Sequence, residues 1–168
     1  MREYLKADSV PIFSHMIKER STVIPTVYLV LTESNRILLS RRYNTGFQDG
    51  RYSLPAGHLD GREETFIQAM VRETREEIGV KIEPSNLELI HVMHRKQSKP
   101  TDERRINLFF RASKWEGEPR IMEPDRCDDL RWFNLNHLPR NTIPYVRQAI
   151  ECVRNRIFYS EYGFSNEH

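Results

Sequence analysis

The sequence predicts an α/β fold in which a mixed β-sheet is sandwiched between α-helices. An amphipathic helical pattern lies near the middle of the chain, at about Phe66–Ile78, and a second begins at Pro144. Segments rich in β-branched and large apolar residues lie before the first pattern and between the two. Helices and strands interleaved in this order bury a sheet between helices.

The chain divides into one domain and two flanking segments. Residues 1–20 show no regular pattern and are expected to be an N-terminal extension. The domain is placed at residues 21–157, and residues 158–168 are expected to be a C-terminal tail. A chain of 168 residues with 38% hydrophobic and 30% charged residues is long enough for one domain with its own core.

The strands before the central helix follow from short β-rich runs. Thr22–Thr32 and Arg36–Arg42 are predicted to be two adjacent strands, separated by a Glu-Ser-Asn turn. Residues 43–50 form a polar loop with two glycines. A short strand at Tyr52–Leu54 then leads to Gly57, whose bare backbone is free to approach a ligand.

The central helix has both a start signal and a stop signal. Thr65 and Gln68 have the spacing of a capping box, and Gly79 suits the left-handed position after a helix end. Its apolar residues recur at intervals of three and four, which predicts a buried stripe. The stripe consists of Ile67, Met70, Val71, Thr74 and Ile78.

The second half supplies the remaining elements. Leu87–Arg95 and Arg105–Lys114 are predicted strands, joined by a charged, mobile loop at Lys96–Glu103. Asp129–Phe133 is predicted to be the last strand. From Pro144 onward, apolar residues recur on one helical face, so a second helix is expected to cover the sheet.

Composition limits the classes of function. A net charge of +2 is too small to indicate a nucleic-acid partner, so a small anionic substrate is expected instead. No apolar run is long enough to span a membrane, and the N-terminus lacks a secretory pattern, which together predict a cytoplasmic protein. Cys127 and Cys152 are too far apart for metal-type spacing. No oligomeric state is predicted.

The exposed face of the central helix carries the strongest functional signal. Glu73, Glu76 and Glu77 stand at i, i+3 and i+4, so their carboxylates converge on one patch. Like charges at this spacing repel by about 0.2–0.5 kcal/mol per pair, and a divalent cation among them removes the repulsion. A solvated charged face is the ordinary alternative. Arg72 precedes Glu76 by one turn and is placed to hold its carboxylate.

These residues belong to a longer motif. The run Arg72-Glu73-x-x-Glu76-Glu77-x-Gly79, preceded by Gly57 and a glutamate, resembles the signature of the Nudix hydrolases. The resemblance covers roughly residues 22–156 and implies the Nudix fold. One residue is extra: eight residues separate Glu63 from Arg72, where the family has seven. Because a loop tolerates an insertion better than a helix, Glu64 is equated with the family's first glutamate.

The resemblance implies a role for each residue of the motif. Glu73 and Glu77 would be ligands of Mg²⁺ or Mn²⁺, with Glu76 a ligand or a base and Gly57 contributing its carbonyl. Arg72 would orient the carboxylates. Glu64 would be an auxiliary carboxylate.

Shorter segments resemble the MutT-type nucleoside triphosphate pyrophosphohydrolases, among them Ile37–Arg42 and Trp115–Pro119. By position, Arg42 would contact substrate, Asn141 would read a base and Asp129 would complete the metal cluster. Each also has an ordinary explanation, respectively a solvated strand end, a turn residue and a strand-edge acid. Glu123 competes with Asp129 for the last role, and His58, directly after Gly57, is placed to touch substrate.

The function implied is Mg²⁺-dependent hydrolysis of a nucleoside diphosphate linked to another group, with a nucleoside triphosphate, oxidised or not, as the favoured substrate. The products would be a nucleoside monophosphate and pyrophosphate. The alternatives are a nucleotide sugar or ADP-ribose, an RNA 5′ end, and a catalytically silent module that senses a nucleotide. The intact glutamate cluster argues against a silent module.

Overall fold

Two β-sheets and two α-helices make up the computed structural model, which describes residues 22–97 and 103–164. The strands are β1 (Ile24–Val30), β2 (Thr32–Glu33), β3 (Arg36–Arg42), β4 (Tyr52–Ser53), β5 (Ala56–Gly57), β6 (Leu87–Lys96), β7 (Arg104–Ala112), β8 (Cys127–Asn134) and β9 (Tyr159–Tyr162). The helices are α1 (Phe66–Ile78) and α2 (Pro144–Arg154).

The strands pair in a mixed arrangement. One sheet has five strands in the order β5-β1-β7-β6-β9, with β1 parallel to β7 and β6 parallel to β9. The other has four strands, in which β3 pairs with β2, β4 and β8. The predicted α/β class with a mixed sheet is confirmed, with the strands divided between two sheets.

The two helices cover opposite faces of the five-stranded sheet. Alternate residues of β1 point to opposite sides, so Val27 and Leu29 pack in one core cluster while Tyr28 packs in the other. The first cluster contains Met70 of α1, and the second contains Ala149 of α2. The sheet is therefore sandwiched between the helices.

The sequence predicts that Thr22–Thr32 and Arg36–Arg42 are adjacent strands, but β1 and β3 are not paired along their length. β1 is paired over all its residues with β7, from Ile24 opposite Arg105 to Val30 opposite Arg111. The chain then continues into β2, and Thr32 pairs with Ile37 of β3. Only this short continuation, β2, forms the expected hairpin with β3. β1 itself does not, because β5 and β7 occupy its two edges.

The C-terminal segment forms part of the sheet. Residues 159–162 had been assigned to a tail, but they form β9 and pair with Val92–Arg95 of β6. The buried His91 helps to hold this segment through contacts with the Ile157 carbonyl and the Ser160 hydroxyl, at 2.8 and 3.0 Å. The expected N-terminal extension and the centre of the Lys96–Glu103 loop lie outside the described residues.

Helix α1 begins and ends where its capping signals predict. Thr65 and Gln68 form both hydrogen bonds of the capping box, at 3.3 and 2.9 Å, and Gly79 has a left-handed φ of 69°. Met70, Thr74 and Ile78 are buried, as predicted. Ile67 instead remains 39% exposed, while the neighbouring Ala69 is fully buried, so the buried face is rotated from the predicted stripe.

Candidate active site

The Glu73 side chain of α1 lies directly against the backbone of Gly57. Gly57 lies in β5 and pairs with Val27 of β1. A Cβ atom added to Gly57 would lie 1.8 Å from Cδ of Glu73. A larger residue at position 57 would therefore displace the Glu73 side chain from its present position.

Arg72 joins the carboxylates of the loop and the helix. Its guanidinium donates twice to Glu64, at 2.8 and 3.0 Å, and once to the His58 carbonyl, at 2.8 Å. It also donates to Glu73 at 2.9 Å and to Glu76 at 3.0 Å. A guanidinium has five N–H groups, so these bonds use all of its donors. The orienting role predicted for Arg72 matches this geometry.

Glu64, not Glu63, reaches Arg72. The Glu64 carboxylate also accepts a hydrogen bond from the Asp60 amide, at 2.6 Å. The bonds from Arg72, followed by this amide, lower the pKa of Glu64 to about 2. Glu63 is exposed. The structure therefore agrees with placing the extra residue in the loop.

The carboxyl group of Glu77 is buried and forms no ion pair with any residue that the structure describes. Its Oε2 atom accepts a hydrogen bond from the Ala56 amide at 2.9 Å, which ties the helix to β5. Burial, together with the nearby carboxylates of Glu73 and Glu123 and against the effect of the amide, raises the pKa of Glu77 to about 8. Burial likewise raises the pKa of Glu73. A cation bound here would stabilise both groups in their charged form.

The chemical nature of these side chains suits a divalent cation. Three carboxylates and a backbone carbonyl are hard oxygen donors, which suit Mg²⁺ or Mn²⁺. Among residues 22–97 and 103–164, no three acidic, histidine or cysteine side chains are already arranged around a common metal position. Arg72 occupies one oxygen of Glu73 and one of Glu76, so these side chains must release it, or use their second oxygens, to bind a metal.

The carboxylates form one wall of a cleft of about 750 Å³. Arginines from other elements line the same cleft, so acidic and basic groups face a common space. The charged residues lining it are Arg41, Arg42, Asp60, Arg72, Glu73, Glu76, Glu77, Glu123 and Arg126. Such a cleft can hold a cation on its acidic side and phosphate oxygens on its basic side.

Asp129, which the resemblance places in the metal cluster, is hydrogen-bonded by other residues in the structure. Its carboxylate accepts hydrogen bonds from the Tyr52 hydroxyl and from Arg131, the latter at 2.8 and 3.0 Å, and it is not among the described residues that line the cleft. Glu123, the competing candidate, lines the cleft and acts electrostatically on Glu73 and Glu77.

The segment that carries Glu123 is anchored. Backbone hydrogen bonds join Arg120 to Ile78 at 3.0 Å and Met122 to Glu77 at 3.1 Å. The Glu123 carbonyl accepts bonds from Arg126 and Cys127, both at 3.0 Å. These bonds fix the backbone on both sides of Glu123.

Of the three residues predicted to contact substrate, two line the cleft and the third does not. Arg42 and His58 line the cleft and also a second cavity that adjoins it. The Arg42 guanidinium donates hydrogen bonds to the Phe47 carbonyl and the Thr45 hydroxyl, at 2.7 and 3.0 Å. Asn141 instead donates to the Gly50 carbonyl at 2.8 Å and is not among the residues that line either cavity.

The second cavity, of about 320 Å³, was not predicted from the sequence. It lies over one end of the five-stranded sheet and contains Arg95 of β6 and Arg105 of β7, which are paired across the hairpin. A signal was present, because Arg95 directly precedes the predicted loop and Arg105 follows it by two residues. Strand register was needed to place both on one face.

A family model described as the NUDIX domain matches residues 22–153. The chain therefore belongs to the Nudix family, as the motif predicted. This membership supports the prediction that the protein is an enzyme, a Nudix pyrophosphohydrolase.

Curated relatives include the NAD-capped RNA hydrolases NudC of Stutzerimonas stutzeri and Pseudomonas aeruginosa. The first is 31% identical over 75% of this chain and 41% of its own length, and the second is 34% identical over 68% and 37%. The chain thus spans about two fifths of the length of the curated relatives that it matches.

Solved structures share the fold. The MutT NUDIX hydrolase of Burkholderia pseudomallei is 30% identical, with a TM-score of 0.70 over 78% of this chain and 98% of that one. The NUDIX domain of Shewanella oneidensis NrtR, solved with ADP ribose, has a TM-score of 0.64 at 22% identity, over 82% of this chain and 90% of that one. In the part of our chain that the structure describes, neither helix is long and apolar enough to cross a membrane.

Proposed function

We propose that this protein is a pyrophosphohydrolase that uses Mg²⁺ or Mn²⁺ to cleave the diphosphate linkage between a nucleoside and a second organic group. The observation that carries the proposal is the cleft itself, which is lined both by the three glutamates of α1 and by four arginines. A diphosphate can use both kinds of residue. The arginines bind its anionic oxygens, and a cation held by the glutamates would activate the nucleophile that attacks phosphorus.

The residues of the chain have distinct tasks in this reaction. Glu73, Glu76 and Glu77 would hold the cation together with the Gly57 carbonyl. The cation would neutralise phosphate oxygens and lower the pKa of bound water. Arg72, fixed by Glu64, orients Glu73 and Glu76.

Two carboxylates are candidates to take a proton from the attacking water. The Glu76 side chain is 51% exposed, and it is therefore open to the solvent in the cleft. Glu123 approaches from the segment after β7 and lines the same space. The buried Glu77 is better suited to binding the cation than to exchanging protons with solvent.

The adjoining cavity favours a substrate with a group on each side of the diphosphate. The two cavities share Arg42, Ser53, Ala56 and His58, so a molecule can extend from one into the other. A dinucleotide or nucleotide sugar would fill both. The curated relatives support this choice, since their names refer to NAD, which is a dinucleotide. A nucleoside triphosphate, the substrate first favoured, remains a candidate that the same screen tests.

The screen compares NAD, ADP-ribose, UDP-glucose and the nucleoside triphosphates as substrates in the presence of Mg²⁺, with products identified by chromatography. We expect two-sided substrates to yield two monophosphates, and turnover to stop when a chelator removes the metal. A higher kcat/KM for a triphosphate, with release of pyrophosphate, would reverse the preference. Hydrolysis of none of these compounds would contradict the proposal as a whole.

NAD-capped RNA is a second candidate substrate, suggested by the names of the relatives. The screen therefore includes a short RNA with this 5′ end beside free NAD. A kcat/KM for the RNA at least about tenfold above that for NAD would mean that the enzyme also gains binding energy from the nucleic acid. The modest net charge led us to expect no such gain.

A further inference from the structure

A second polar cluster lies on the five-stranded sheet, beyond the acidic cleft. Arg95 on β6 is paired with Arg105 on β7, and one step along the sheet Thr26 on β1 is paired with Asn107 on β7. These four residues share a face with Tyr28 and Phe109, because side chains alternate along each strand. Three of them, Thr26, Arg95 and Arg105, line the cavity of about 320 Å³.

The cluster contains most of the buried polar atoms that lack a partner in the described part of the chain. They are Oγ1 of Thr26, Nε of Arg95, Nε of Arg105 and both amide atoms of Asn107. Thr26 and Arg95 are each 4% exposed, and Asn107 is fully buried. Unpaired polar groups in such positions are costly and rare. Those of Thr26, Arg95 and Arg105 lie on residues that line one cavity, which points to a partner from outside the chain.

The cavity also carries an excess of positive charge. Arg105 is neutralised by Glu103, at 2.7 Å, and donates to Nε2 of His58 at 2.8 Å. Arg95 contacts the face of Tyr145 at 4.3 Å and Gln97 at 3.4 Å, and it forms no ion pair with any described residue. Arg42 adds a further charge where the two cavities meet.

We propose that the cavity lined by Thr26, Arg95 and Arg105 binds an anionic oxygen group, a phosphate or a carboxylate, that the substrate carries in addition to its diphosphate. This inference rests on the proposed function, because the diphosphate would lie in the adjoining cleft. It names the substrate class more narrowly: one of the two groups joined by the diphosphate is itself anionic. A guanidinium such as that of Arg95 binds either group through paired N–H donors.

Two matched pairs of compounds test the inference. UDP-glucuronate differs from UDP-glucose by a carboxylate, and NADP differs from NAD by a phosphate. Dissociation constants are measured by calorimetry with Mg²⁺ present, and hydrolysis is followed separately. We expect the charged member of at least one pair to bind at least about tenfold more tightly, and the pair that shows the preference identifies the anion as carboxylate or phosphate.

Variants locate the preference. Arg95→Gln and Arg105→Gln should each bring the two dissociation constants of that pair to within about threefold of one another. The control is Arg111→Gln, which alters an exposed arginine of β7 that is paired with Glu88, and it should preserve the preference. Thr26→Val removes an unpartnered hydroxyl at nearly constant volume. It should reduce the preference without lowering the melting temperature, which shows that the loss does not come from unfolding.

The outcomes are distinct. Equal binding within both pairs, or no binding of any of the four compounds, overturns the inference. If the compounds are hydrolysed without a preference for charge, the proposed function stands and the anion site does not. If the charged compound binds preferentially through Arg95 and Arg105 but is not hydrolysed, the anion site stands and the proposed function fails. An undiminished preference in all three cavity variants would also overturn the assignment of these residues.

Discussion

Arg72 sets the geometry of the site at the scale of single residues. Every N–H group of its guanidinium has an acceptor, and the acceptors come from both the loop before α1 and the helix itself. Glu64 takes two of these bonds and thereby fixes the plane of the guanidinium. Since Glu64 touches the carboxylates only through Arg72, we interpret it as a positioning residue.

The role of Glu64 predicts a contrast with its neighbour. Glu64→Gln should lower kcat about 10- to 100-fold, because an amide holds Arg72 less firmly, while KM changes little. Glu63→Gln, which alters an exposed residue of the same loop, should stay within about twofold of wild type. Steady-state kinetics of both variants provide the measurement. The opposite ranking would move the extra residue of the motif into the helix start.

Glu123 and Asp129 provide a second contrast. Glu123 lines the cleft and acts electrostatically on Glu73 and Glu77, whereas the Asp129 carboxylate is hydrogen-bonded by Tyr52 and Arg131. Glu123→Gln should reduce kcat by about 10²-fold or more, since it removes a carboxylate from the reacting side. Asp129→Asn should lower the melting temperature and leave kcat nearly unchanged. A large kcat effect confined to Asp129→Asn would restore the assignment made from the sequence.

At the scale of elements, the edge of the five-stranded sheet depends on a buried histidine. His91 is fully buried in β6, beside Phe109, and contacts the segment that leads into β9. The Ile157 carbonyl can only accept, so Nδ1 of His91 donates and Nε2 accepts from the Ser160 hydroxyl. Burial lowers the pKa of His91 below its ordinary value, against the opposing effect of the backbone carbonyls.

This lowered pKa predicts a dependence of stability on pH. Below the unfolded-state pKa of about 6.5, the unfolded chain binds a proton that folded His91 does not, so stability falls as the pH decreases from there toward the folded-state pKa. Urea unfolding at about pH 7.5 and about pH 5.5 should show a larger loss of unfolding free energy in wild type than in His91→Asn. The exposed His137→Asn serves as the control. An equal loss in wild type and His91→Asn would show that His91 does not contribute.

Over the whole molecule, local signals were predictable and long-range pairing was not. The bounds of α1 follow from Thr65, Gln68 and Gly79, all within one short stretch, and the convergence of Glu73, Glu76 and Glu77 follows from helical periodicity alone. In contrast, the partner of β1 and the existence of β9 depend on contacts between distant segments. Sequence periodicity shows that a strand exists, but it does not show which edge it joins.

In the candidate site, too, the residues within one stretch of sequence were predictable and those from distant segments were not. The motif supplied the helix carboxylates, Arg72 and Glu64, because they lie within a single stretch of sequence. Glu123, Arg95 and Arg105 reach the cavities from other segments, and nothing local distinguishes them from solvated charges. Asp129 is the first residue of the predicted strand, but β8 begins two residues earlier, at Cys127. The Asp129 side chain is held by Tyr52 and Arg131, which only the folded arrangement brings to it.

The central claim is that the carboxylates of α1 bind a divalent cation that hydrolysis requires, and Glu77→Gln tests it most directly. The amide oxygen of the substituted side chain can still accept the hydrogen bond from the Ala56 amide, and the substitution removes the charge that burial, Glu73 and Glu123 oppose. The variant should therefore be at least as stable as wild type.

The decisive measurement is kcat at saturating Mg²⁺ for wild type and Glu77→Gln, with the best substrate from the screen, alongside their melting temperatures. The account predicts that Glu77→Gln retains or gains thermal stability and loses at least about 10²-fold in kcat. A variant that turns over as fast as wild type would contradict the assignment of the site to the carboxylates of α1.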